Sequence, residues 1–234
     1  MLRRRRRESG DQPVPYAATG EASRPAGRAQ SGPWDIADDY PESERIDCGS
    51  LLVPVREGFD VQINVAEEQG AWVAIVYGDS GMQLQAFAAP RNGGLWDEVR
   101  HEIAANIADS GGSCQESAGP AGTELRAEVP VGDDGLPGQL QPVRFLGFDG
   151  PRWFLRGVIS GPAATDEAAA EPFDELFADV VVVRGDYPAP PREQLEIRLP
   201  DEARQALEAQ LAQENPGWEL PDPFSRGPEI TETR

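Results

Sequence analysis

The sequence predicts an α+β fold: one antiparallel sheet built from two β-β-β-α halves, with the helices packed on one face. Three features of the chain lead there. Val143 to Phe148 and Trp153 to Ile159 are apolar, aromatic or β-branched runs, and the turn Asp149-Gly150-Pro151 between them makes a hairpin. Two further stretches have the periodicity of amphipathic helices. The order strand, hairpin, helix also occurs twice. Gly122 to Val129 lines up with Gly58 to Val65, the hairpin at 143–159 with 72–88, and the helix around Pro172 to Phe177 with Leu95 to Ala108. Two such halves can share a single sheet.

In chain order, residues 1–31 read as a disordered arginine-rich tail with almost no apolar periodicity. A single domain is expected over 32–200, beginning at Gly32-Pro33-Trp34-Asp35, where Trp34 is large enough to anchor the acidic arm that follows. Leu51 to Val55 is a first strand, interrupted by Pro54 as at a strand end. Val61-Gln62-Ile63-Asn64-Val65 alternates as a half-exposed strand. Trp72 to Tyr77 and Met82 to Ala88 flank the turn Gly78-Asp79-Ser80-Gly81. Trp96, Val99, Ile103 and Ile107 then share one helical face, with Asp97 and Glu98 in the first turn and Gly111-Gly112 as the stop. In the second half, Pro172 is read at a first helical position, and Phe173, Leu176, Phe177 and Val180 form the buried stripe. Val180 to Val183 belongs near a sheet centre or under the helices. Leu195 to Leu199 is expected as an edge strand, residues 201–215 as a C-terminal helix, and 216–234 as a disordered proline-rich tail.

The 234-residue chain carries a net charge of −20, and all 21 of its basic residues are arginine. Residues 1–30 hold seven arginines against Glu8, Asp11 and Glu21, while the rest holds fourteen against 38 acids. So acidic a body disfavours nucleic acid and anionic membranes. Cys48 and Cys114 are too few and too far apart for a disulfide framework or a cysteine zinc site. No apolar run is long enough for a membrane span or a secretory segment, so a cytoplasmic location is expected.

Catalytic signatures are lacking. His101 is the one histidine and falls on the polar side of its helix. Gly-x-Ser-x-Gly, Walker and Gly-x-Gly-x-x-Gly patterns do not occur. Asp133-Asp134-Gly135 lacks the later ligands of a calcium loop. No cofactor and no metal is expected. Two arginine groups are the candidate sites. Arg91, Arg152, Arg156 and Arg184 flank the core at strand ends or loops, with Arg152 and Arg156 assigned to one face of one strand. Together they could form a carboxylate or phosphate site, or each could be paired to a nearby acid. Arg3, Arg4, Arg5, Arg6 and Arg7 could contact nucleic acid, acidic lipid or an acidic partner, or be a solvated tail.

Gly32-Pro33-Trp34-Asp35, Asp47-x-Gly49-Ser50-Leu51, Phe87-Ala88-Ala89-Pro90-Arg91, Gly150-Pro151-Arg152-Trp153-x-Leu155-Arg156-Gly157 and Val181-Val182-Val183-Arg184-Gly185 together resemble the actinobacterial family known as domain of unknown function 3710. The resemblance spans roughly Gly32 to Pro200. It implies a GC-rich actinobacterial source, a cytoplasmic protein, no assigned activity and no catalytic residue. The leading functional expectation is therefore a non-enzymatic protein-interaction or adaptor module whose partner is another protein. The rivals are a small anionic-ligand binder or enzyme using the arginine cluster, and a nucleic-acid-associated factor using residues 3–7.

Overall fold

In the computed structural model, residues 32–66, 70–131, 139–200 and 204–205 are described. The expected tails at 1–31 and 216–234 lie outside them, as do Asp133-Asp134-Gly135 and most of the expected helix at 201–215; residues 204 and 205 are helical.

Seven strands form one antiparallel sheet: β4 (Asp60–Ala66), β5 (Gly70–Tyr77), β6 (Ser80–Ala88), β7 (Ser113–Gly119), β8 (Gly122–Pro130), β9 (Leu140–Gly150) and β10 (Trp153–Ser160). Their order is β4-β5-β6-β10-β9-β8-β7, so each half is a meander and the halves meet where β10 pairs with β6, from Trp153↔Ala88 to Ser160↔Gly81. A second, mixed sheet is built from β1 (Trp34–Asp35), β2 (Arg45–Asp47), β3 (Leu51–Pro54) and β11 (Val181–Val182), in the order β1-β11-β3-β2. β3, expected as a first strand interrupted at Pro54, belongs to this sheet and does end at Pro54. Val180, Val181 and Val182 of the valine run are fully buried, with β11 between β1 and β3, as two apolar faces require.

The helices, α1 (Leu95–Asp109) and α2 (Glu167–Asp179), lie on opposite faces of the large sheet and not on one. Side chains alternate along β10. Trp153, Leu155 and Ile159 share a core with Phe173, Leu176 and Phe177 of α2 and with Leu51 and Val53 of β3. Phe154 shares a second core with Leu95 and Trp96 of α1, while Ile107 covers Leu125 and Ala127 of β8. The reason is legible in β10 itself: Trp-Phe-Leu is apolar on both faces, so a one-sided cover would leave Phe154 wet. Glycines let the covers approach β9 closely, since any side chain at Gly147 would collide with the Trp96 ring, and one at Gly150 with Trp153.

α2 begins earlier than the sequence suggests. Asp166 caps it by accepting from the N–H of Ala168, so Pro172 is interior. Pro172 removes one helical donor there, and the burial of Phe173, Leu176 and Phe177 holds the helix through that gap.

A charged triad closes the space between β8, β9 and α2. Arg144 (2% exposed) donates from Nε and Nη2 to Glu124 Oε2 (1% exposed) at 2.8 and 2.6 Å, and its Nη1 lies 2.9 Å from Asp174 Oδ1. Arg126 Nε and Ser117 Oγ donate to the other oxygen of Glu124. Four donors hold the Glu124 carboxyl below its ordinary range despite burial.

Burial, reinforced by the Asp47 carboxylate, pushes the Cys48 thiol up to about 11. Cys48 is therefore expected to resist iodoacetamide at pH 8 in the folded protein and to react on denaturation, because the thiolate is the nucleophile. Peptide mapping checks this; equal labelling of Cys48 before and after unfolding would contradict it.

Candidate functional site

The four core arginines have different settings. Arg91 is exposed in the turn after β6. Arg152 is also exposed, in the turn before β10, with a left-handed φ of 63°. Strand alternation starts only at Trp153, so Arg152 and Arg156 do not share a strand face. Arg184 is buried and spends its donors on main-chain carbonyls: Nε on Arg152 at 3.2 Å, and Nη1 on Tyr187 at 3.1 Å and on Gly185. It is a clamp between two loops. None of the four lies within salt-bridge distance of a carboxylate among the described residues. Arg3 to Arg7 fall outside those residues.

Arg156 has a different setting. It projects from β10 on the α1 side of the sheet, between Gln85 on β6 and Gly147 on β9. Its Nη2 donates to Gln85 Oε1, its guanidinium carbon sits 5.3 Å from the Phe87 ring centroid, and its Nε is buried without a hydrogen-bond partner. Phe87 stacks on Phe154 and Phe154 on Trp96, with centroids 6.0 and 5.8 Å apart, so an aromatic row runs from the arginine to the start of α1. Burial lowers the guanidinium's pKa, and no carboxylate among the described residues opposes it. Asp149, on the same face, is committed elsewhere. It accepts from the N–H of Trp96 at 3.2 Å and so anchors the start of α1, where Gly94 has no side chain to cap it.

Beyond Arg156, the α1-side face of β10, β6, β5 and β4 has no helix over it among the described residues. By register it presents Val158, Gln83, Trp72, Ala74, Val76, Gln62 and Asn64. Val76 is 39% exposed, Gln62 and Gln83 are exposed, and Trp72 is half-buried. Arg156 is the one charge within it, with Asp60 at its rim. Residues 192–195 border the face. They pair with Ala86 and Ala88 of β6, and Gln194 and Gln85 both donate to the carbonyl of Ala71, wedging β5 away from β6. Sequence reading named Arg156 but missed Gln85, Phe87 and Trp72. The signal was in β6, where Gln83 and Gln85 alternate with core residues.

A shallow groove of about 350 Å³ lies near the β7 edge, lined by Gln115, Arg126, Glu128, Pro142 and Thr165 among others, and a neighbouring hollow of about 420 Å³ shares Pro142 and Thr165. Arg126, its cation, is already paired with Glu124 at 2.8 Å. No group of three or more histidine, cysteine or acidic side chains is placed to hold a metal among the described residues, and no helix among them is long and apolar enough to cross a membrane. A family model described as protein of unknown function (DUF3710) matches residues 32–206. No curated protein and no solved structure matches the chain.

Proposed function

We propose that this chain, which belongs to the DUF3710 family of proteins of unknown function, acts in the cytoplasm as a non-enzymatic protein-interaction module that docks its partner on the uncovered face of β4, β5, β6 and β10. One observation carries this: four adjacent strands present a surface with a single interior charge, on a chain of net charge −20. Depletion of charge around aromatic and aliphatic side chains is the composition of an interface core. Trp72 offers a large rigid contact, and Gln62, Asn64 and Gln83 can donate and accept hydrogen bonds around it.

Photo-crosslinking in native cells tests the assignment. A benzophenone side chain at Gln83 should yield an adduct with another protein, and one at the exposed Glu171 of α2 should not. Val76→Asp should abolish the Gln83 adduct while leaving stability within about 0.5 kcal/mol, as for other exposed positions. Absence of a Gln83 adduct, or the same adduct from both positions, would remove this face as the docking surface.

A further inference from the structure

We propose that Arg156 is a receptor for a carboxylate, the side chain of an aspartate or glutamate on the protein that docks on the uncovered face. The assignment rests on that face being an interface and adds the chemistry of the group that arrives at its α1 margin.

Counter-charges are plentiful elsewhere. Arg45, Arg56, Arg100, Arg126, Arg144, Arg192 and Arg198 each lie within 4 Å of a carboxylate, and Arg184 is satisfied by three carbonyls. Arg156 is largely covered, yet among the described residues its side chain has one hydrogen-bond acceptor, the amide oxygen of Gln85, and its Nε has none. A guanidinium has five N–H donors, and a buried cation without its counter-charge is costly. The Phe87 ring offsets only part of that cost.

The groups around it cannot supply the missing charge. Gln85 and Gly147 flank it across the sheet, Phe154 and Val158 stand on either side along β10, and Asp149 is held by α1. No described residue supplies the complement, which is assigned to the docking partner. A guanidinium with free N–H groups matches the two oxygens of a carboxylate. Since the rest of the face is neutral and the body acidic, the arriving acid belongs to an otherwise neutral segment; a run of acids would be repelled.

The test uses the full chain with acetate as the probe, following the side-chain Nε–H resonance of Arg156 by NMR. Acetate should shift that resonance in a saturable way, chloride at equal ionic strength should not, and phosphate should compete more weakly. Arg156→Lys keeps the charge but loses the fork, and should weaken acetate binding about tenfold. No shift, or equal shifts at the exposed Arg91 and Arg152, would overturn the proposal. Tighter binding of phosphate would overturn it in favour of a phosphoryl ligand. If acetate fails while the Gln83 adduct persists, the docking surface stands and only its carboxylate hook falls.

Discussion

Replacing Trp153 by alanine is expected to cost about 3–5 kcal/mol, the usual loss for truncating a fully buried large aromatic. The Trp153 side chain has no exposure at all, lies beside Phe148 with centroids 5.9 Å apart, and covers Gly150 so closely that no side chain fits there. Its Nε1 also donates to Asp35 Oδ2 at 2.6 Å, across 118 positions of sequence. Trp153→Phe separates the two contributions. It keeps most of the apolar area but strands the Asp35 oxygen, and should cost about 1–3 kcal/mol. Thermal or urea unfolding reads both. At roughly 2–4 °C per kcal/mol for a domain of this size, alanine should lower the midpoint by about 10 °C. A midpoint within a degree or two of wild type would show that the ring is not part of the core.

The second large effect is expected at Arg144. Arg144→Ala removes the guanidinium that bridges Glu124 and Asp174 and leaves Glu124 charged and buried, a loss of about 3–5 kcal/mol. Exchanging Arg144, Glu124 and Asp174 together for Met, Leu and Leu should cost far less, because the desolvated charges then vanish from both sides of the comparison. The triad also sets an acid limit. The folded protein lowers the Glu124 carboxyl from its ordinary value of 4.5, so its stabilisation is complete above that pH and is lost as pH falls through the depressed folded value. Asp174 is shifted upward, because burial outweighs its guanidinium partner at the more open end. The acid sensitivity therefore belongs to Glu124, and Glu124→Gln should flatten the stability profile below pH 4.5. An unchanged acid limb in that variant would assign the transition to other carboxylates.

Strands that bury a clean alternation, and the helix with four apolar residues on one face, were readable from the chain. Both signals depend only on neighbours in sequence. β7 was not, because Ser-Cys-Gln-Glu-Ser-Ala-Gly has little strand propensity; it is an edge held by pairing with β8, and only the turn residues Pro120-Ala121 hinted at a hairpin. The small sheet was hidden for another reason. β1 and β11 are two residues long and are held by partners distant in sequence, β1 by β11 and β11 by both β1 and β3. At the site, the sequence picked out Arg156 but grouped it with Arg91, Arg152 and Arg184. The part of that grouping that set Arg152 and Arg156 on one strand face fails, because residues 151–152 form a turn. The five short motifs on which the family resemblance rests mostly fasten the fold: Asp35 holds Trp153, Val183 donates to the carbonyl of Ser50, and Arg152's carbonyl receives both Ala89 and Arg184. The uncovered face is drawn largely from residues between those motifs.

The parallel pairing of β1 with β11 also has a consequence for synthesis. Trp34 can find Val181 only after nearly the whole domain has left the ribosome, and β3 waits for the same strand. Until then the first meander has an apolar side, with Val73, Ile75, Met82 and Leu84, and nothing to lay over it. Contacts this distant in sequence make folding slow and keep such a surface open while the chain grows. The arrival of residues 167–197, which bring α2, β11 and Leu195 at once, is what commits the nascent chain to its native state.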